Sequence, residues 1–273
     1  VLRNIYINAK EITVSCRTDK GEVTYRLWEE GKSVQPDPYA GILPEIEKNL
    51  FYLSANRVGV ENDASLSVDQ ICGLDGRFLY GTYEQEKSRA LDISLVRCRE
   101  SLTLAAQVNY WLAYILGVDM QMTTEKRNEE KVEVRFRSDG IPNLLPTQLG
   151  AGVSYLAKIL ILCLRAKKGD VLMIENPEIH LHPAAQSKLG EFFAFIASAG
   201  IQLIIETHCE HLLNRLRYEV YRDAITPDDL IIYYKGGITD PFQPIHVMKN
   251  GKYDVDFPTG FFDATLTELL EME

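Results

Sequence analysis

Residues 169–215, GDVLMIENPEIHLHPAAQSKLGEFFAFIASAGIQLIIETHCEHLLNR, decide the fold. Residues 171–174 form a short apolar run behind Gly169-Asp170, and its length and flanks favour a buried strand over a helix. Glu175 and Asn176 follow at its carboxyl end, where open α/β sheets collect their ligands. Pro183 suits a first helical position, and Leu189, Phe192, Phe193, Phe195 and Ile196 then recur at helical spacing. Gly200 closes that helix, residues 201–205 read as a second buried strand, and Glu206-Thr207-His208 stands at its end. Two neighbouring strand ends thus bring a carboxylate, an amide and an imidazole to one crevice.

Working outward, Gln148-Leu149-Gly150-Ala151-Gly152-Val153-Ser154 precedes an apolar helix at 155–165, and 228–234 reads as a further buried strand. Helices alternating with strands in this way predict an α/β fold with a largely parallel sheet. Upstream, residues 5–7, 11–15 and 22–27 are strand-like, and the break at Asp19-Lys20-Gly21 predicts an antiparallel hairpin. Residues 46–53 form a short element, 62–91 are polar and loop-like with mixed helix signals, and 101–116 form an amphipathic helix. Strands at 119–122 and 132–136 flank a charged, solvated turn. Asn250-Gly251 predicts a hairpin turn, and residues 260–272 a closing turn and terminal helix. The expected organisation is a β and loop portion over 1–100, an α/β portion over 101–240 and a tail over 241–273.

A chain of 273 residues with 46% hydrophobic content buries a sizeable core, and its net charge of −10 argues against a surface that coats nucleic acid. Five cysteines without a C-x-x-C pair suggest a reducing cytoplasm rather than a disulfide framework. No apolar stretch is long enough to span a bilayer, and no signal-peptide pattern opens the chain. The chain opens on Val1 within strand-like sequence, which reads as a fragment whose amino terminus lies upstream.

The run Ile174-Glu175-Asn176-Pro177-Glu178-Ile179-His180-Leu181-His182-Pro183, followed by Glu206-Thr207-His208 and preceded by the G-x-G-x-S of 150–154, resembles the ABC-type ATPases of the RecF/SMC/OLD-like branch. The order of signature, Walker B and switch histidine is that family's order, and the likeness covers roughly 108–217. Leu53-Ser54-Ala55-Asn56-Arg57 and 257–263 resemble an AAA-labelled bacterial subgroup that is often defence-associated. The resemblance implies a P-loop NTPase fold, with ATP and Mg2+ as cofactors. Glu175 takes the Walker B position, holding magnesium through water. His208 matches the switch histidine, a γ-phosphate sensor, and His182 the D-loop position facing an opposite subunit. Leu149, Gly150, Ala151, Gly152 and Ser154 match the signature, which covers the partner's γ-phosphate. Arg57 either faces the nucleotide or makes an ordinary salt bridge.

Two features depart from the family's pattern. Asn176 falls where most ABC ATPases carry the catalytic glutamate, and an amide orients water but does not accept its proton. Hydrolysis is then slow, or Glu178 supplies the carboxylate. No G-x-x-x-x-G-K-[ST] run is present. Gly31-Lys32-Ser33 offers its last letters, but Arg26 stands at the first glycine and the setting is a hairpin, so the phosphate loop is expected upstream of Val1.

The leading expectation is an ATPase head that dimerises on ATP and signals to a partner. The family's partners include DNA, nucleases and toxin-like effectors. The acidic charge favours a protein effector, with DNA left open and anti-phage defence implied by resemblance alone. Asn176 and the missing loop support a non-catalytic scaffold as an alternative. A metal-dependent hydrolase built on Glu175, His180, His182, His208 and His211 is a third reading, because H-x-H is a zinc-binding spacing.

Overall fold

The computed structural model describes residues 11–18, 21–28, 31–33, 45–259, 261–262 and 272. The chain divides into two compact units, residues 1–50 and 51–273. In the first, β1 (Glu11–Thr18), β2 (Gly21–Trp28) and β3 (Gly31–Ser33) form an antiparallel sheet in that order, with Thr18 opposite Gly21 and Trp28 opposite Gly31. The hairpin expected around residue 20 is present. Among the described residues Gly31-Lys32-Ser33 is an edge strand, whereas a phosphate loop leads into a helix. The strand-like residues 5–7 lie outside the described residues.

Strand β4 (Leu50–Leu53) stands at the boundary of the units. Beyond it come β5 (Asp63–Ser65), α1 (Leu79–Glu86), α2 (Leu104–Leu116), β6 (Met120–Lys126), β7 (Lys131–Ser138), β8 (Ile141–Leu144) and α3 (Ala151–Arg165). Then follow β9 (Val171–Glu175), α4 (Pro183–Ser198), β10 (Gln202–Glu206), α5 (Glu210–Tyr221), β11 (Ile231–Tyr234) and β12 (Gln243–His246). One sheet runs β10-β9-β4; a second runs β5-β7-β6 with β8 also on β7. Strands β9 and β10 are parallel, with Ile174 beside Ile205 and Glu175 beside Glu206.

Local chemistry sets the helix ends. Thr103 Oγ1 accepts from the Ala106 N–H at 3.3 Å to start α2, and Gly117 ends it at φ 73°. Pro183 opens α4, His182 Nδ1 caps it by accepting from the Ala184 N–H at 3.2 Å, and Gly200 at φ 81° lets the chain turn back into β10. Helix α3 has no polar face: Leu156 to Leu164 are all fully buried, so it is a core helix packed on every side. Within that run Lys158 is fully buried, and its stem delivers Nζ to Val58 O at 3.3 Å and Glu61 Oε1 at 3.2 Å. Trp111 of α2 packs edge-on to Phe192 of α4 at 5.0 Å between ring centroids.

Three expectations differ from the structure. Residues 62–91 contribute β5 and α1 where a loop with mixed helix signals is expected; every residue from Leu79 to Tyr83 is buried, so the first turn of α1 is enclosed all round. Strand β10 is half exposed, with Ile204 at 46%, because no described strand covers its outer edge. The strand expected over 228–234 begins only at Ile231, because Thr226 and Asp229 cap a turn at Pro227–Asp229. It pairs antiparallel with β12, and Ile231 and Tyr233 are exposed. The turn at Asn250-Gly251 is present: Val247 bridges Tyr253, and Gly251 takes φ 75°. The tail helix expected over 260–272 falls almost entirely outside the described residues.

Candidate functional site

The carboxyl ends of β9 and β10 carry the candidate site. Glu175, the last residue of β9, is gripped by the end of β4 and the segment that leaves it. Its Oε1 accepts from the Tyr52 hydroxyl at 2.5 Å, and its Oε2 from the Ala55 N–H at 2.9 Å and the Ser54 hydroxyl at 3.4 Å. The Ala55 N–H above all, and the Tyr52 hydroxyl with it, hold this carboxyl below the ordinary carboxylate range. The same bond pushes the Tyr52 phenol up, keeping it a donor. Glu175 is therefore a preformed, oriented anion. Tyr52, Ser54 and the Ala55 amide are functional groups that the pattern of the sequence did not single out. Ser54 and Ala55 were legible only as members of the 53–57 motif, and Tyr52 only as its neighbour.

Arg57 is 6% exposed and its guanidinium braces the turn after β9. Nη2 donates to the carbonyls of Glu175 and, at 2.9 Å, Asn176, and Nε donates to Ser54 O at 2.9 Å. Its role here is to hold the backbone that carries the site. Nη1 is buried without a partner among the described residues. Asn176 sits at φ 42°, a left-handed conformation that asparagine tolerates better than most residues. Its Nδ2 donates to Glu206 Oε2 at 2.7 Å, and its N–H donates to Glu206 O at 2.8 Å. The other oxygen of Glu206 lies 3.1 Å from His208 Nε2. Asn176, Glu206 and His208 thus form one chain of contacts across the two strand ends, with His208 81% exposed. Glu206 was legible as part of Glu206-Thr207-His208 but was not expected at the centre.

Glu178 is placed differently from a free catalytic carboxylate. Its Oε1 accepts from Thr207 Oγ1 at 2.8 Å and from the His208 N–H at 3.2 Å, which fixes the turn between β10 and α5. Its Oε2 is enclosed and unpaired among the described residues. His182 is exposed and caps α4, and His180, at φ 61°, stacks on Tyr155 of α3 at 5.5 Å.

The start of α3 packs against this same turn. A Cβ on Gly152 would lie 2.4 Å from His180 O, so glycine is required for the helix to approach. The absence of a side chain at 152 serves contact within this chain. Ser154 was expected to offer its hydroxyl to a phosphate, but it is 1% exposed, with Oγ enclosed and unpaired among the described residues. One helical turn separates exposed Gly150 from buried Ser154, and that step carries the hydroxyl into the core. Gly150, with nothing within 4 Å of a Cβ, and half-buried Leu149 and Ala151 stand at the accessible end of α3.

Glu175 suits a hard cation: it is anionic, oriented, and in register with a second carboxylate, Glu206. Among the described residues no three His, Cys, Asp or Glu side chains converge as a metal cage, including the histidines considered for zinc. Among the described residues no helix is long and apolar enough to cross a membrane.

Solved structures similar to this chain are SMC head domains. One from Pyrococcus yayanosii, with a coiled coil and joint, is 14% identical at a TM-score of 0.34, over 41% of this chain and 23% of that one. One from Pyrococcus furiosus, with an extended coiled coil and bound to the C-terminal domain of ScpA, is 12% identical at 0.36, over 62% and 37%. A third, an SMC head bound to the C-terminal winged-helix domain of ScpA, is 12% identical at 0.46, over 76% and 69%. The chain thus spans well under half the length of the first two. No curated protein matches. A family model described as "AAA domain, putative AbiEii toxin, Type IV TA system" matches residues 39–214, more than half of the 273, and the chain belongs to that family of nucleotide-binding AAA ATPases.

Proposed function

We propose that this chain is the head of an ATP-switched ATPase, in which two copies close on ATP and Mg2+ and the closed pair signals to a protein effector. The observation that carries the reading is the site at the ends of β9 and β10: an oriented Glu175 anion beside Asn176, Glu206 and His208. Magnesium, when bound, neutralises charge on the phosphates, and Glu175 would hold it through water. Among the described residues β10 has an open outer edge, and a strand added there would set a phosphate loop beside Glu206 and His208. Leu149, Gly150 and Ala151 offer backbone at the N-terminus of a 15-residue helix, suited to a phosphate held by the opposite copy. Buried Ser154 takes no part in that contact. Exposed His182 lies toward the opposite copy, and Arg57 holds the acidic turn from behind. The net charge of −10 favours a protein over DNA as partner. The free thiols of Cys72, Cys98, Cys163 and Cys209 fit a reducing cytoplasm. A defence role is suggested only by the resemblance of 53–57 and 257–263 to a defence-associated subgroup, and the family's description names a putative toxin.

The test is nucleotide titration of the full-length protein combined with sedimentation. The wild type binds ATP with magnesium and dimerises. Glu175→Gln loses the magnesium dependence, and Gly150→Glu, which has open space, folds and binds ATP but stays monomeric. A wild type that neither binds nucleotide nor changes its oligomeric state with ATP would leave the scaffold reading, which Asn176 favours.

A further inference from the structure

We propose that Glu206 is the catalytic base of this site, replacing the carboxylate that Asn176 does not supply. The inference rests on the nucleotide reading above. Three observations single out Glu206 among the carboxylates. It is the register partner of Glu175, so its side chain stands on the same face, one strand over from the magnesium-holding group. Its two oxygens are held separately, Oε2 by the Asn176 amide at 2.7 Å and Oε1 facing His208 Nε2 at 3.1 Å. Its side chain is also about half exposed, which leaves lone pairs free for a water.

The rival carboxylates are otherwise engaged. Glu175 accepts from three donors, Tyr52, Ser54 and Ala55, where Glu206 has two contacts, and Glu178 is committed to the turn after β10 with its other oxygen enclosed. The left-handed backbone at Asn176 explains why an asparagine is accommodated there, and its amide donates to the base instead of being one. In the step itself an incoming water loses a proton to Glu206. The water oxygen bonds to the terminal phosphorus of a nucleoside triphosphate. The bond from that phosphorus to the bridging oxygen breaks, its electron pair leaving on the diphosphate. Glu206 then returns the proton to solvent or to the released phosphate. Asn176 and His208 position the base.

The experiment compares Glu206→Gln with the swap Asn176→Asp/Glu206→Gln in the full-length protein. The swap restores a carboxylate and an amide in reversed places, and aspartate tolerates the left-handed backbone. ATP affinity and turnover are measured separately, and the His208 ring nitrogens are followed by NMR without nucleotide. Glu206→Gln is expected to keep ATP affinity and lose turnover by about 10²–10⁴-fold, the usual range for a general base. The swap recovers at least about tenfold of that loss, and the His208 resonance moves in Glu206→Gln. Unchanged turnover in Glu206→Gln overturns the proposal, as does a loss the swap leaves uncorrected. If the wild type binds no nucleoside triphosphate, the nucleotide reading fails first and takes this step with it. The His208 shift then still reports whether the Glu206–His208 pair exists, which separates the two failures.

Discussion

Helix α3 and strand β10 are both runs of aliphatic residues, and the fold treats them in opposite ways. In α3 every side chain from Leu156 to Leu164 is withdrawn from solvent, including Lys158. In β10, Gln202, Ile204 and Glu206 are exposed, and Leu203 and Ile205 are only half buried. The helix lies inside a single apolar cluster built with α2, α4 and β9, whereas the strand ends its sheet among the described residues. Stability therefore concentrates around α3 and chemistry at the end of β10. There, exposed polar groups are ordered by one another instead of by burial. The cost of burying a charge shows the same division. Burial pulls the Lys158 ammonium down and pushes the Glu61 carboxyl up, and each partly offsets this for the other.

Substitutions can break this contrast, beginning with the helix. Leu160→Ala leaves a cavity in a fully buried position and should lower unfolding free energy by about 2–5 kcal/mol in chemical denaturation. A loss under about 1 kcal/mol would show that the region is looser than its burial implies. Gly152→Ala tests where the two regions meet. A Cβ there meets backbone, which yields less readily than a side chain, so a loss of about 1–3 kcal/mol is expected. ATP affinity should fall with it, because the acidic turn must shift. An unaffected variant would show that α3 and the turn are not tightly packed. His182→Ala removes a helix cap and should cost about 0.5–1 kcal/mol by the same measurement. Ile204→Ser sharpens the other pole: at an exposed position it should stay within about 0.5 kcal/mol. A larger effect would mean that the Ile204 side chain is covered; a strand paired to the edge of β10 through its backbone leaves that side chain exposed.

Much of this molecule was legible before its structure. The strand–turn–helix–strand order of residues 169–215, the caps at Pro183 and Gly200, and the nearness of Glu175, Asn176 and His208 all follow from local pattern. Residues 62–91 were not, since their buried Tyr80 and Tyr83 lie among polar neighbours with no clear period. The roles of Glu178 and Ser154 were also hidden. A motif gives residue types and spacing, whereas one helical turn decides whether Ser154 faces a ligand or the core.

By itself, then, the sequence determined an α/β fold and which short segments meet at its strand ends, because apolar period and turn residues act locally, while the ATPase family was implied by the resemblance of its motifs. Tertiary structure alone decided the partners of each charge. Tyr52, Ser54 and Ala55 stand about 120 residues from the Glu175 they bond, and Glu206 stands 30 from the Asn176 amide that binds it. Contacts over such separations come from the register of β9 with β10 and the packing of β4 beside them, which no local pattern encodes.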